Sequence, residues 1–352
     1  MDGIILAMKI LGIESSCDET AAAIVEDGAH ILSNVVVSQI DIHAEYGGVI
    51  PEIAARSHIE AIQPVLNKAF KDANLTIDDI DAIAVTHTPG LVGSLLAGTL
   101  AARTLAVVHN KPFYPTHHLK SHIYANWLSG YQPEFPLLAA VISGGHTQII
   151  YMERHDHFEI IGTTRDDAIG ECFDKVAKIL GLPYPGGPSV ANAAKNGNPD
   201  KYHIPIPHVD GLDFSFSGLK TAVLRAVQKE LGLPITTPSH ELKDHLTDQQ
   251  IADFAASFQK TAVDILLKKL EKATETRNVK SVLLSGGVSA NQALRDELQK
   301  RFGTDYKVFF PDPQFSTDNG AMVASAAYYS IQAGDPYTDP YKLDISPRST
   351  IY

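Results

Sequence analysis

His118 and His122 stand four residues apart in a stretch, 116–128, where Leu119, Ile123 and Trp127 recur at helical spacing. On a helix of ~3.6 residues per turn, that spacing stacks both imidazoles on one face, so the pair can hold one metal ion. The plain alternative is two half-exposed histidines beside the core stripe. Asp318 is a candidate third ligand. Two histidines and a carboxylate leave open positions that suit iron(II) or zinc and a substrate oxygen. Its alternative is a helix-start residue whose carboxylate favours the positive end of the last helix. No glutamate stands between the histidines, which argues against a metalloprotease of the HExxH kind.

A second group of candidates lies in Glu14-Ser-Ser-Cys-Asp-Glu-Thr20, a polar turn after the apolar residues 10–13. Asp18 or Glu19 could accept a proton or hold a metal-bound water, although Asp18 could also make an Asx-type turn. Cys17 is a poor nucleophile there, because adjacent carboxylates raise a thiol pKa. Asp167, Glu171 and Asp174 share one helix face. They read either as a solvated stripe or, for Asp174, as an acceptor for ribose hydroxyls with Gly187 admitting the sugar. The third group is Ser143-Gly-Gly-His-Thr147, which with Ser285-Gly-Gly-Val288 repeats the plan of strand then polar turn. Adjacent glycines let the backbone approach a phosphate and turn its N–H groups outward.

These groups need strands to carry them. The pattern predicts an antiparallel meander over 9–14, 21–25 and 31–37, then a helix over 51–70 that Pro64 breaks in two. It next predicts a strand at 81–86, a helix to 108, a turn at 110–115 and the histidine helix at 116–128. A hairpin over 140–151 follows, with a helix at 166–180, a rigid loop at 183–188, a helix to 231 and an exposed connection at 232–248. A long helix over 249–273 leads to a strand at 281–284, a helix at 291–302, a strand at 307–310 and a last helix to 331. A meander and a later hairpin, each followed by helices, describe a duplicated α/β protein. The best fit is the actin-like ATPase architecture (ASKHA, also called ribonuclease-H-like), two lobes with ligand in the cleft between them. We expect an N-terminal lobe of residues 8–137 plus 315–347 and a C-terminal lobe of 138–314.

The bulk properties narrow the function. With 44% hydrophobic and 20% charged residues in 352, the chain can bury a large core, and no apolar run approaches the roughly 20 residues that span a bilayer. Residues 1–8 lack the basic start of a leader peptide, and Met8 is an alternative initiator. Two cysteines far apart fit a reduced compartment, so a cytoplasmic, non-membrane location is the default expectation. A net charge of −12 argues against unaided binding to nucleic acid.

The motifs Gly12-Ile-Glu-Ser-Ser-Cys-Asp-Glu-Thr20, Gly47-Gly-Val-Ile-Pro-Glu52, Thr88-Pro-Gly-Leu-Val-Gly93, His118-Leu-Lys-Ser-His122, Ser143-Gly-Gly-His-Thr147, Tyr184-Pro-Gly-Gly-Pro188, Phe214-Ser-Phe-Ser-Gly-Leu-Lys220, Ser285-Gly-Gly-Val-Ser-Ala-Asn291 and Thr317-Asp-Asn-Gly320 together resemble the TsaD family. The likeness runs through about residues 8 to 347, with 232–248 outside any family motif. It implies transfer of a threonylcarbamoyl group from threonylcarbamoyl-AMP to N6 of adenosine 37 in tRNAs that read ANN codons. It further implies an iron(II) or zinc ion on His118, His122 and Asp318, with iron ahead of zinc. The adenylate would lie on Val141, Ile142, Ser143, Gly144, Gly145, Asp174, Gly187 and Asn291, with Asp18 and Glu19 near the reacting group. Implied partners are tRNA, a TsaB-like paralogue and a TsaE-like P-loop ATPase. An actin-like ATPase or phosphotransferase and a non-catalytic scaffold are the alternatives, and the histidine pair with Asp318 separates the first of these from the transferase.

Overall fold

The computed structural model describes residues 7–206 and 209–348, so the leader reading of residues 1–6 lies outside the described residues. Strand β1 (Lys9–Glu14) runs antiparallel to β2 (Glu19–Glu26), which pairs with β3 (His30–Ser38). Asp27 and Gly28 join β2 to β3 with φ of 50° and 71°, the left-handed pair that matches the twist of a tight hairpin. Helices α1 (Ile40–Ala44) and α2 (Pro51–Ala73) follow, then β4 (Ala82–Thr88), α3 (Val92–Val108), β5 (Phe113–His117) and α4 (His118–Leu128).

The pattern then repeats with β6 (Leu137–Ile142), β7 (Thr147–Arg154) and β8 (His157–Thr163), and with helices α5 (Ile169–Leu180), α6 (Gly186–Ala194), α7 (Ser217–Glu230), α8 (Ser239–Leu242) and α9 (Asp248–Thr276). Strand β9 (Ser281–Ser285), α10 (Gln292–Phe302), β10 (Lys307–Phe309), α11 (Pro313–Ser316) and α12 (Gly320–Gln332) complete the chain. The sheets order as β3-β2-β1-β4-β5 and β10-β9-β6-β7-β8. Their pairings match: β1 and β6 are each antiparallel to the next strand and parallel to a later one, with Ile10 beside Ala82 and Ala140 beside Leu284. The duplicated actin-like architecture is therefore present.

Two compact units emerge, one of Met1–Pro133, Glu153–Phe158 and Pro311–Tyr352, the other of Glu134–Met152 and Glu159–Phe310. In the first, alternate residues of β1 feed opposite cores. Ile10 packs with Ala125, Leu128 and Ala321–Val323, whereas Leu11 and Ile13 pack with Val65, Ala69, Ala102 and Ala106. A Cβ on Gly12 would lie 2.3 Å from the Gly320 carbonyl, so glycine there lets α12 cross β1 backbone to backbone. In the second unit α5, α7 and α9 bury Phe173, Val223, Phe254 and Phe258 against β6 and β9.

Four local expectations change. Helix α2 runs unbroken through Pro64, because the ring faces solvent while Ala54, His58, Val65 and Ala69 on both sides of it are buried. Its apolar residue Ile59 points outward, 68% exposed. The turn at 110–115 is instead the edge strand β5, where Pro115 costs no interior ladder bond. The rigid loop at 183–188 is shorter, since Gly186, Gly187 and Pro188 already form the first turn of α6. Strand β8 has no counterpart in the sequence reading.

Candidate functional site

In the first unit β1 delivers Glu14, fully buried, to the edge of the polar turn. Three successive carbonyls of that turn, Ser16, Cys17 and Asp18, are taken. The Leu91 amide donates to the Ser16 carbonyl at 2.8 Å and the Gln39 amide to the Asp18 carbonyl at 3.0 Å. His58 Nε2 and the Ser94 hydroxyl both donate to the Cys17 carbonyl, at 3.0 and 3.2 Å. Since His58 Nε2 is a donor, its Nδ1 accepts from the Thr20 hydroxyl at 2.8 Å. Burial lowers the His58 pKa and keeps that neutral tautomer. The turn is thus rigid and carries the Asp18 and Glu19 side chains. Burial, followed by Asp318 and Asp18 nearby, pushes Glu19 well above the usual carboxylate range. Burial likewise pushes the Cys17 thiol well up, with Asp18 adding to it, which removes it as a nucleophile.

His118 and His122 begin α4, with the His117 ring capping the Leu119 amide. They are not half-exposed: His118 is 7% and His122 0% accessible. Asp318 reaches them because Asn319, not Asp318, caps α12, accepting from the Met322 amide at 3.0 Å. The three residues converge, with ligand atoms all within 4.8 Å of one another. Asp318 Oδ1 lies 3.1 Å from His122 Nε2 and 3.6 Å from His118 Nε2. Among the described residues neither His122 nitrogen finds a hydrogen-bond partner, although both are buried. An orphaned imidazole aimed at a carboxylate is costly in a bare protein but natural for ligands around a shared ion. Ligands ~2.1 Å from a tetrahedral ion stand about 3.4 Å apart, and the two distances from Asp318 bracket that value. The residues therefore fit a metal. Burial would lower the His118 pKa, yet Asp318 and Glu14 beside it raise it to about 9.

The second unit's site is made of backbone. Val141 and Ile142 are committed to β6, paired with Gln148 and Thr147 of β7. The Ser143 amide donates to the His146 carbonyl at 2.8 Å, which closes the turn and takes that amide out of the expected set of ligand-facing donors. Among the described residues, no backbone acceptor takes the amides of Gly144 or Gly145. Both glycines are exposed, with open space where a Cβ would stand. They sit over the first turn of α5, since a Cβ on Gly170 would lie 2.6 Å from the Ser143 carbonyl. The positive end of α5 thus underlies the turn.

Asp174 accepts from the Gly186 amide at 2.7 Å, and burial raises its pKa. Gly187 beside it is open. The acidic stripe divides: Lys175 pairs with Asp167 at 2.6 Å and with Glu171 at 2.8 Å, leaving Asp174 apart. Asn291 caps α10 through the Leu294 amide and donates to Gln259 at 2.8 Å. A groove of about 470 Å³ along α9 and α10 includes Gln259, Lys260, Asp264 and Arg301 in its walls. Its cations are already paired, Lys260 with Asp200 and Arg301 with Asp264 and Glu297, which makes it a poor phosphate site.

Sequence reasoning missed two residues of the first site. Glu14 was hidden as the last residue of an apolar strand, and the sole signal was a charge in a buried run. His58 lies on the buried face of α2, and no motif or spacing in the sequence singles it out.

Residues 30–325 match the family model described as TsaD, tRNA N6-adenosine threonylcarbamoyltransferase. A protein of that name from Symbiobacterium thermophilum is 51% identical over 327 residues, 92% of each chain. Another from Caldicellulosiruptor bescii is 49% identical over 328 residues, 93% of this chain and 94% of the relative. Among solved structures, HypF from T. kodakarensis aligns with a TM-score of 0.62 over 94% of this chain and 50% of that one, at 13% identity. The activator of 2-hydroxyisocaproyl-CoA dehydratase from Clostridium difficile aligns with a TM-score of 0.51 over 93% and 96%, at 14% identity. These two likenesses concern the fold alone.

Proposed function

The chain belongs to the TsaD family of tRNA N6-adenosine threonylcarbamoyltransferases, and from that premise we propose how its two sites divide the reaction. The activity is acyl transfer: the threonylcarbamoyl group of threonylcarbamoyl-AMP passes to N6 of adenosine 37 in tRNAs that read ANN codons, and AMP leaves. The phosphotransferase and scaffold readings are not favoured.

His118, His122 and Asp318 hold a divalent ion, iron(II) ahead of zinc; the observation that carries this is the orphaned His122 Nε2, 3.1 Å from Asp318. An ion held by these residues would supply Lewis-acid polarisation of the carbamoyl carbonyl. Backbone amides of Gly144 and Gly145, at the positive end of α5, stabilise the phosphate of the departing AMP. Asp174 accepts from the ribose, Gly187 gives the sugar room, and Asn291 lies on the side of the base. The exocyclic amine must lose a proton as it attacks. Glu19, whose ionisation is opposed by burial and Asp318, suits hydrogen bonding to the substrate; Asp18 takes the proton.

Partners follow from the surface. Val92, Leu96, Leu100 and Val107 form an exposed apolar stripe on α3. It supports docking of a TsaB-like paralogue, with a TsaE-like P-loop ATPase joining the assembly. The charge of −12 supports a need for such help with tRNA, in the cytoplasm. Residues 8–137 with 315–347, and 138–314, would be the working lobes.

The test is transfer of labelled threonine from supplied threonylcarbamoyl-AMP to an ANN-decoding tRNA, with partner proteins added. Transfer lost in the folded His118→Ala, His122→Ala variant supports the assignment. Transfer that survives in it removes the ion from the reaction.

A further inference from the structure

Three donors converge on the buried carboxylate of Glu14. The Ser16 amide donates to Oε1 at 2.6 Å, and the Thr86 hydroxyl to Oε2 at 2.5 Å. His118 Nδ1 lies 3.3 Å from that same Oε2 and 3.2 Å from the Ser16 hydroxyl. The hydroxyl can donate or accept, so by itself it leaves the ring tautomer open. A carboxylate can only accept, and burial leaves no water to separate it from the ring. A bare Nδ1 would therefore set one lone pair against another. With Nδ1–H directed at Glu14, the opposite nitrogen, Nε2, is left to face Asp318.

We infer that Glu14 is a positioning residue of the metal centre, which fixes His118 in the tautomer and orientation that present Nε2 to the ion. This rests on the reading of His118, His122 and Asp318 as ligands. His122 has no counterpart, since its buried Nδ1 has no hydrogen-bond partner among the described residues. The two imidazoles are therefore unequal: the sheet holds the Nδ1 side of one through β1 and β4, and no such bond holds the Nδ1 side of the other. Such outer partners orient a ligand, raise its basicity and strengthen metal affinity. Glutamine cannot replace Glu14, because an amide has one oxygen and its NH2 group must oppose at least one of the three donors.

The test titrates Co2+ into the full-length protein, following its visible absorption and competition with a chromophoric chelator, with no tRNA present. We expect Glu14→Gln to bind Co2+ roughly 10- to 100-fold more weakly and with shifted absorption bands. Thr86→Val keeps the carboxylate but removes one of its supports, and should weaken binding several-fold; it stands in if Glu14→Gln does not fold. A merely structural role would lower the thermal midpoint of the metal-free protein and leave the bands where they were. Unchanged Co2+ affinity in both folded variants, with binding abolished by His118→Ala, overturns this inference and spares the metal site. No Co2+ uptake by the wild type overturns both.

Discussion

At the end of β1 the chain turns through Ser15-Ser-Cys-Asp18, and at the equivalent end of β6 through Ser143-Gly-Gly-His146. The two turns occupy the same place in duplicated sheets and share almost nothing else. The first is filled: three of its carbonyls are engaged, Gly98 presses against Ser15, and burial opposes the ionisation of Glu19. The second is emptied, with two glycines whose Cβ positions are vacant. One copy supplies side-chain chemistry from a rigid base; the other supplies backbone that a ligand can approach. Duplication allowed each turn to specialise in what the other cannot do.

The largest expected effect strikes the histidines beside the filled turn, where the Ser16 hydroxyl lies 3.2 Å from His118 Nδ1. Joint replacement of His118 and His122 by alanine should lower transfer by roughly 10³-fold, the scale of several kcal/mol that a Lewis acid provides, with metal content falling in parallel. If metal content falls and transfer does not, the ion beside the filled turn takes no part in the chemistry.

Next comes Gly286→Ala, at the second unit's other glycine turn. There φ is +85° and a Cβ would lie 2.5 Å from the Ile142 carbonyl, so we expect a loss of about 2–4 kcal/mol in denaturant unfolding. Gly144→Ala makes the paired measurement. With nothing near its Cβ, stability should stay within about 0.5 kcal/mol while KM for threonylcarbamoyl-AMP rises several-fold. Equal destabilisation by the two changes would mean that the emptied turn is not open.

The smallest effect lies away from both turns. Burial lowers the His155 pKa from 6.5 to about 4, where its ring stacks on Tyr124 and Tyr329 beside Asp156. The unfolded chain therefore binds this proton first, and the stability His155 contributes is lost as pH falls from about 6.5 towards 4. The melting temperature of the wild type should drop more over that window than that of His155→Gln. Identical pH curves would dismiss the contribution.

Much of this was legible in the sequence because periodicity and spacing report on faces. Leu119, Ile123 and Trp127 placed the histidines of α4 on a shared surface, and the glycine pairs marked where strands end. What was not legible depended on the far side of a contact. Pro64 breaks a helix only if the helix lacks burial on both sides of it, and Pro115 excludes a strand only if that strand is interior. Glu14 sits in β1, which is buried on both faces, so alternation gives no phase by which to recognise an unusual residue. Its importance comes from Thr86 and His118, which are distant in sequence.

The order of the ligands along the chain has a consequence for synthesis. Asp318 is translated after the whole of the second unit, which intervenes between it and His122. Helix α12, which lies across Gly12 of β1, emerges later still. While the ribosome is still making the second unit, the first lacks both its closing helix and its third ligand. The nascent chain is thus exposed to the cell's metal pool with only two histidines to offer, and tight capture of an ion waits until the last helix has been delivered.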